Sequence, residues 1–182
     1  DTQTGSVAYD QYGYDVAALG DVDGDGYDDI AFTVLGQEYV HVSYGYSGGM
    51  TSTTDDTITS VDGYDITGGD VNGDGYRDLV VGWGPYSGDD GRVFVYHGSS
   101  SGISTTASRT LSGAGSSELG ATVSATSDIN GDGYDDLVIG APGSSKFYVY
   151  NGSSSGIAAS SSQSYSSRAA EGVSGGGDIN AD

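Results

Sequence analysis

The sequence predicts an all-β fold made of β-propeller blades, each of four antiparallel strands, about three blades plus flanking strands in a partial propeller. Three observations predict it. A nine-residue acidic motif recurs along the chain. Short apolar and aromatic runs follow each copy in the same order. No stretch carries the 3.6-residue apolar period of a helix.

The motif is Asp21-Val-Asp-Gly-Asp-Gly-Tyr-Asp-Asp29, repeated as Asp70-Val-Asn-Gly-Asp-Gly-Tyr-Arg-Asp78 and Asp128-Ile-Asn-Gly-Asp-Gly-Tyr-Asp-Asp136. A further partial copy runs from Asp178 to Asp182. Ahead of each lies a Gly-containing segment, centred on Gly13, Gly63, Gly120 and Gly172, read as the first strand of a unit. After each complete copy comes an apolar run, at Ile30 to Leu35, Leu79 to Val81 and Leu137 to Ile139. Two of these runs end in a Gly/Pro break, before Pro85 and Pro142. An aromatic and β-branched run follows, at Tyr39 to Tyr44, Val93 to Tyr96 and Phe147 to Tyr150. A Gly/Ser turn and a Thr/Ser-rich stretch complete the unit. Short β-branched runs punctuated by Gly and Ser are strands. Several are apolar without alternation, as expected of strands buried on both faces between stacked sheets. The blades are placed at about 12–61, 62–111 and 119–165, with partial blades at 1–11 and 171–182, all in one propeller segment spanning 1–182.

Composition removes several function classes. Of 182 residues, 26 are acidic and 5 are Lys or Arg, for a formal net charge of −21. That balance opposes binding to nucleic acid or to an anionic membrane surface, because both need a positive footprint. No apolar window is long enough to span a bilayer, so no membrane insertion is expected. The absence of cysteine rules out disulfides and thiolate chemistry. The 15 Tyr and 33 Gly are those of a folded, turn-rich chain and not of a disordered acidic tail. An acidic exterior suits the cell surface or salty water, and equally serves solubility.

Oxygen-bearing side chains at alternate positions, closed by a carboxylate at the ninth, form a cage for a hard cation. Calcium takes about six to eight oxygen ligands at about 2.3 to 2.6 Å. In the first loop the side-chain ligands are Asp21, Asp23, Asp25 and Asp29, with the backbone carbonyl of Tyr27. In the second they are Asp70, Asn72, Asp74 and Asp78, with the carbonyl of Tyr76. In the third they are Asp128, Asn130, Asp132 and Asp136, with the carbonyl of Tyr134. The fourth offers Asp178, Asn180 and Asp182 and is incomplete. The expected cofactor is therefore Ca2+, at three complete sites and a fourth incomplete one. Asp-Gly and Asn-Gly pairs also make plain turns. Three copies in one register, with carboxylates close enough to repel one another, favour the cation. An EF-hand needs an acidic residue at position twelve and flanking helices. Position twelve is Phe32, Val81 or Ile139, within strand-forming runs, so that reading fails.

These loops, with Gly140-Ala-Pro142 after the third, resemble the FG-GAP repeats of the integrin α-subunit β-propeller and its bacterial and fungal relatives. Gly84-Pro85 approximates the same break, and Leu35-Gly36 stands there in the first repeat. Tyr12-Gly13, Asp62-Gly63, Leu119-Gly120 and Glu171-Gly172 hold the family's Phe-Gly position. The resemblance covers nearly the whole chain. It implies that each loop joins the innermost strand of a blade to the second, and that the module adheres to a protein or glycan ligand at the cell surface or outside the cell.

The Gly-x-Ser-x-Gly patterns at Gly45, Gly98 and Gly152 match a hydrolase nucleophile elbow, but such an elbow needs a strand-to-helix turn. Their recurrence between strands marks them as hairpin turns. His41 and His97 lie near strand ends and are read as packing or surface residues. No catalytic constellation is found, and the chain is not expected to be an enzyme. Asn151-Gly-Ser153 is a candidate N-glycosylation site in an expected exposed turn.

The function expected is that of an extracellular calcium-binding adhesion, ligand-binding or scaffold module. A structural subunit of a surface layer or fibre is an alternative, as is an accessory domain of a secreted enzyme. With a leading strand near Thr2 to Ala8 and a trailing one near Gly172 to Gly177, three blades form an open arc. Its partners are expected to be the remaining blades of a longer chain or other copies of itself.

Overall fold

A computed structural model describes residues 11–51, 54–166 and 172–174. Among the described residues, fourteen strands build three four-stranded antiparallel sheets and one small hairpin. The first sheet contains β1 (Gln11–Gly20), β2 (Asp29–Leu35), β3 (Tyr39–Ser43) and β6 (Asp56–Thr59), in the order β1-β2-β3-β6. The hairpin of β4 (Gly45–Tyr46) and β5 (Gly49–Met50) interrupts it between β3 and β6. The second sheet contains β7 (Asp65–Gly69), β8 (Asp78–Trp83), β9 (Arg92–Tyr96) and β10 (Arg109–Ser112), and the third β11 (Thr122–Ser127), β12 (Asp136–Ala141), β13 (Lys146–Tyr150) and β14 (Gln163–Ser166). Both run in simple meander order. This is a partial β-propeller, with each four-stranded sheet a blade.

Stacking explains the continuous apolar runs. In β2 and β3, Ala31 pairs with Val42 and Thr33 with Val40, so these four side chains share one face. That face packs with Ile58 against Ile66, Leu79, Val81 and Tyr96 of the second sheet. The opposite face of the second sheet, carrying Val80, Val93 and Val95, packs against Leu137, Ile139 and Tyr150 of the third. Leu79, Val80 and Val81 are all fully buried because their strand lies between two sheets. Burying each such side chain contributes roughly 1.5 to 3 kcal/mol.

The inner strands β1, β7 and β11 are stitched radially by carboxylates. Asp15 accepts the Ile66 N–H at 2.8 Å, and Asp65 accepts the Val123 N–H at 2.7 Å. Burial, with Asp15 beside it, pushes Asp65 up to about 6. Each acidic loop leaves the end of an inner strand and enters the second strand of its sheet. The strand expected near Thr2 to Ala8 lies outside the described residues; of the one expected near Gly172 to Gly177, residues 172–174 are described and form no strand, and the rest lie outside the described residues.

Candidate metal centres

The three acidic loops share one hydrogen-bond frame. Asp21 Oδ1 accepts the N–H groups of Gly24 (2.6 Å) and Asp25 (3.2 Å), and its Oδ2 accepts that of Gly26 (2.9 Å). Asp23 accepts the Asp25 N–H at 3.1 Å, and Asp25 accepts the Tyr27 N–H at 2.9 Å. Asp70 takes the same three donors, from Gly73, Asp74 and Gly75, and Asp128 takes them from Gly131, Asp132 and Gly133. Asn72 and Asn130 reproduce the Asp23 bond, and Asp74 and Asp132 the Asp25 bond, the latter two accepting from Tyr76 and Tyr134. The backbone is thus curled in the same way in all three loops. Backbone donors hold Asp128 below its usual range, Gly133 foremost.

The ninth residue anchors the loop to the sheet. Asp29, Asp78 and Asp136 are buried, and each carboxylate bridges two backbone donors. Asp29 accepts from Val22 and Gly45, Asp78 from Val71 and Gly98, and Asp136 from Ile129 and Gly152, all at 2.8 to 3.0 Å. Burial raises all three, and the loop's other acids add repulsion in the same direction. Asp78 is pushed to about 7. A bound cation would relieve both effects. Each carboxylate oxygen has a second lone pair, so the backbone bonds leave room for a metal bond.

One oxygen each from Asp21, Asp23 and Asp29 lies within 4.8 Å of the others. Two oxygens on opposite sides of one calcium ion are about 4.6 to 5.2 Å apart, so one ion spans the set. Tyr27 is exposed at the seventh position. Tyr76 and Tyr134 sit in the same place, with rings turned onto the preceding loop. Asp178, Asn180 and Asp182 lie outside the described residues.

The first glycine of each Gly-x-Ser-x-Gly pattern has a role that sequence reading missed. Gly45, Gly98 and Gly152 supply the second N–H to the ninth-position Asp. A side chain at Gly98 would collide with the Arg77 carbonyl, so only glycine admits the approach. At Gly98 and Gly152 the rest of the pattern is a tight turn, closed by Gly102 N–H to Ser99 O (2.8 Å) and Gly156 N–H to Ser153 O (2.7 Å). No helix follows, as a nucleophile elbow would require. The recurrence of this glycine after every third strand was the available signal.

Two expectations need correction. His41 lies in the middle of β3, not near its end, packed beside Tyr12, Phe32 and Tyr39 and bonded to Thr57 Oγ1 at 2.9 Å. Asn151 is half-buried, not in a fully exposed turn. Its counterparts are Tyr44 and His97. Tyr44 accepts the Ile103 N–H of the second sheet at 3.0 Å, and the His97 ring lies against Gly156 of the third.

The FG-GAP repeat pattern matches residues 119–157, and the FG-GAP-like repeat pattern matches residues 21–81. Integrin alpha-8 of Gallus gallus is 32% identical over 174 residues, covering 81% of this chain and 16% of that protein. Integrin alpha-6 of Gallus gallus is 41% identical over 109 residues, covering 55% of this chain and 10% of that protein. Integrin alpha-PS5 of Drosophila melanogaster is 42% identical over 89 residues, covering 45% of this chain and 9% of that protein. The chain thus spans less than a fifth of the length of these relatives. Among the described residues, no helix is long and apolar enough to cross a membrane.

Proposed function

This chain belongs to the FG-GAP repeat family of integrin α-subunit type, and on that footing we propose that it is an extracellular calcium-stabilised propeller segment that binds a protein or glycan ligand. One observation carries the calcium half. The same hydrogen-bond frame recurs at the same joint of all three sheets, and in the first loop it brings oxygens of Asp21, Asp23 and Asp29 within 4.8 Å of one another. The ligands are Asp21, Asp23, Asp25, Asp29 and the Tyr27 carbonyl, with their counterparts at 70–78 and 128–136. The ion would supply the positive charge that these clustered carboxylates otherwise lack. The adhesive half rests on the integrin relatives.

Calorimetric titration with calcium chloride tests the first half. Three binding equivalents are expected, with Kd values of about 10⁻⁴ to 10⁻³ M as in extracellular modules. No heat up to several millimolar calcium would refute it. Calcium-dependent retention on immobilised glycans or matrix proteins, abolished by chelator, tests the second.

The front face of the first sheet supports a second element, a further blade as partner. Leu79 and Val81, and likewise Leu137 and Ile139, occupy front-face positions covered by the preceding sheet. In the first sheet the same positions are Ile30 and Phe32, which with Tyr12, Val16, Tyr46 and Met50 line an open groove of about 570 Å³. The chemistry of this face matches another blade, from a longer chain or a second copy. Light scattering in calcium distinguishes the sources. A concentration-dependent rise in mass indicates copies, and a stable monomer argues against them.

A further inference from the structure

We infer that the acidic loops are coupled in series, each positioned by the loop that follows it, with Tyr76 and Tyr134 as positioning residues for the cation sites one blade earlier. The inference rests on the calcium reading above. Three kinds of contact carry it, and each occurs at both junctions.

The first is a ring over a glycine. Gly24 sits between Asp23 and Asp25 with φ +80, and a Cβ built on it would lie 2.7 Å from Cε1 of Tyr76. Gly73 has φ +70, and its Cβ would lie 2.6 Å from Cε1 of Tyr134. The fourth residue of a loop must be glycine both for its left-handed backbone and to admit the ring of the next loop. The second contact is a backbone bond onto the first ligand. Arg77 N–H donates to Asp21 O, and Asp135 N–H to Asp70 O, both at 3.0 Å. The third contact runs through the ninth ligand. Asp78 holds the Gly98 N–H, and the adjacent Ser99 N–H donates to Val22 O at 3.2 Å. Asp136 holds the Gly152 N–H, and the adjacent Ser153 N–H donates to Val71 O, also at 3.2 Å.

The physical route is short. Asp74 and Asp78 would be ordered in holding a cation in the second loop. Asp74 holds the backbone of Tyr76 at 3.0 Å, and Asp78 holds Gly98 beside Ser99. Ordering these groups fixes the ring at Gly24 and the donors to Asp21 and Val22. The first loop then closes against a wall already in place, at lower entropic cost. Coupling between binding sites is reciprocal, so occupancy of the first loop favours the second equally.

The test uses the 15N-labelled chain and calcium chloride. The Gly26, Gly75 and Gly133 N–H groups each donate to the first Asp of their own loop, so their resonances report the three sites separately. Tyr76→Ala is expected to raise the Gly26 midpoint about fivefold or more while the Gly133 midpoint stays within twofold. Tyr76→Phe keeps the ring and is expected to restore the Gly26 midpoint. Asp74→Ala removes the second site together with the carboxylate that holds the Tyr76 backbone, and should also weaken the first site by about fivefold or more. If Tyr76→Ala does not fold, Asp74→Ala decides alone. A Gly26 midpoint within twofold of the parent chain in the deciding variant overturns the coupling and leaves the calcium reading standing. Absence of any calcium-induced shift in the parent chain refutes the calcium reading itself.

Discussion

The first and second loops share a backbone frame but differ in charge. Position three is Asp23 in one and Asn72 in the other, and position eight is Asp28 in one and Arg77 in the other. In the second loop the Asn72 amide donates to Asp74 at 2.9 Å. Arg77 pairs with Asp135 of the third loop at 2.9 Å and reaches Leu19 O at 3.4 Å. In the first loop, among the described residues, no side-chain donor serves Asp23 or Asp25. Partial burial raises Asp23, and Asp25 and Asp21 add to the effect. The third loop sides with the second, since Asn130 donates to Asp132 at 3.0 Å. The frame is thus set by Gly and backbone donors, and the demand for a cation is set separately by two side chains. The second loop has one carboxylate fewer than the first among the expected ligands, and its Arg77 is paired with Asp135 of the third loop, while the first keeps an acid at both positions.

Removing calcium is the largest perturbation and the broadest test of this contrast. At about ten times Kd, each site adds about 1.4 kcal/mol, so three sites add about 4 kcal/mol. For a domain of this size that corresponds to a fall of about 8 to 16 °C in Tm on adding excess chelator, read by calorimetry. Hydrogen exchange should show the Gly24 and Gly26 amides losing protection more than those of Gly73 and Gly75. Equal loss in the two loops would break the comparison, and an unchanged melting curve would remove its basis.

The ninth residue gives a pH test. In chelator, burial holds Asp78 near 7 against an ordinary 3.8. The folded chain then binds that proton more tightly than the unfolded chain. The stabilisation is full below about pH 4 and is lost as pH rises through 7, on the order of 4 kcal/mol in all. Asp65, raised to about 6, acts in the same direction. His41 and His97, both lowered by burial, act the opposite way as pH falls below their ordinary 6.5. Asp78→Asn isolates the carboxyl group. In urea melts from pH 5 to 8, the advantage of the parent chain over this variant should shrink as pH rises in chelator. In saturating calcium it should grow, because the ion binds the carboxylate. A flat difference in chelator would show that Asp78 holds no extra proton.

What the sequence made legible was whatever repeats within one blade. The runs at Ile30, Leu79 and Leu137 mark buried strands because their neighbours are apolar on both sides. The loop ligands stand out because position and chemistry recur together. Contacts between blades were not legible. Tyr76 meets Gly24 and Asp15 meets Ile66 only through the radial register of neighbouring sheets. Nothing in the local sequence encodes that register. The hairpin of β4 and β5 was read as a simple turn because Gly45-Tyr-Ser-Gly-Gly49 has the glycine pattern of its two counterparts. Only the extra length before β6 distinguishes it.

The smallest expected effect is also the sharpest, an exchange of the third-position residues. Asp23→Asn gives the first loop the amide donor that Asn72 supplies in the second, and removes one of its clustered carboxylates. In chelator it should stabilise the chain by a few tenths to about 1 kcal/mol, the usual scale for partly exposed charge interactions. In calcium it should weaken the first site by roughly fivefold, which is about 1 kcal/mol of lost attraction. Asn72→Asp should do the reverse at the second site, destabilising the calcium-free chain and tightening the ion. Urea melts in chelator read the first quantity, and the glycine amide midpoints read the second. Opposite signs in the two variants would locate the contrast at position three. If neither variant moves its loop, the contrast belongs to position eight, where Arg77 supplies a guanidinium and Asp28 supplies another negative charge.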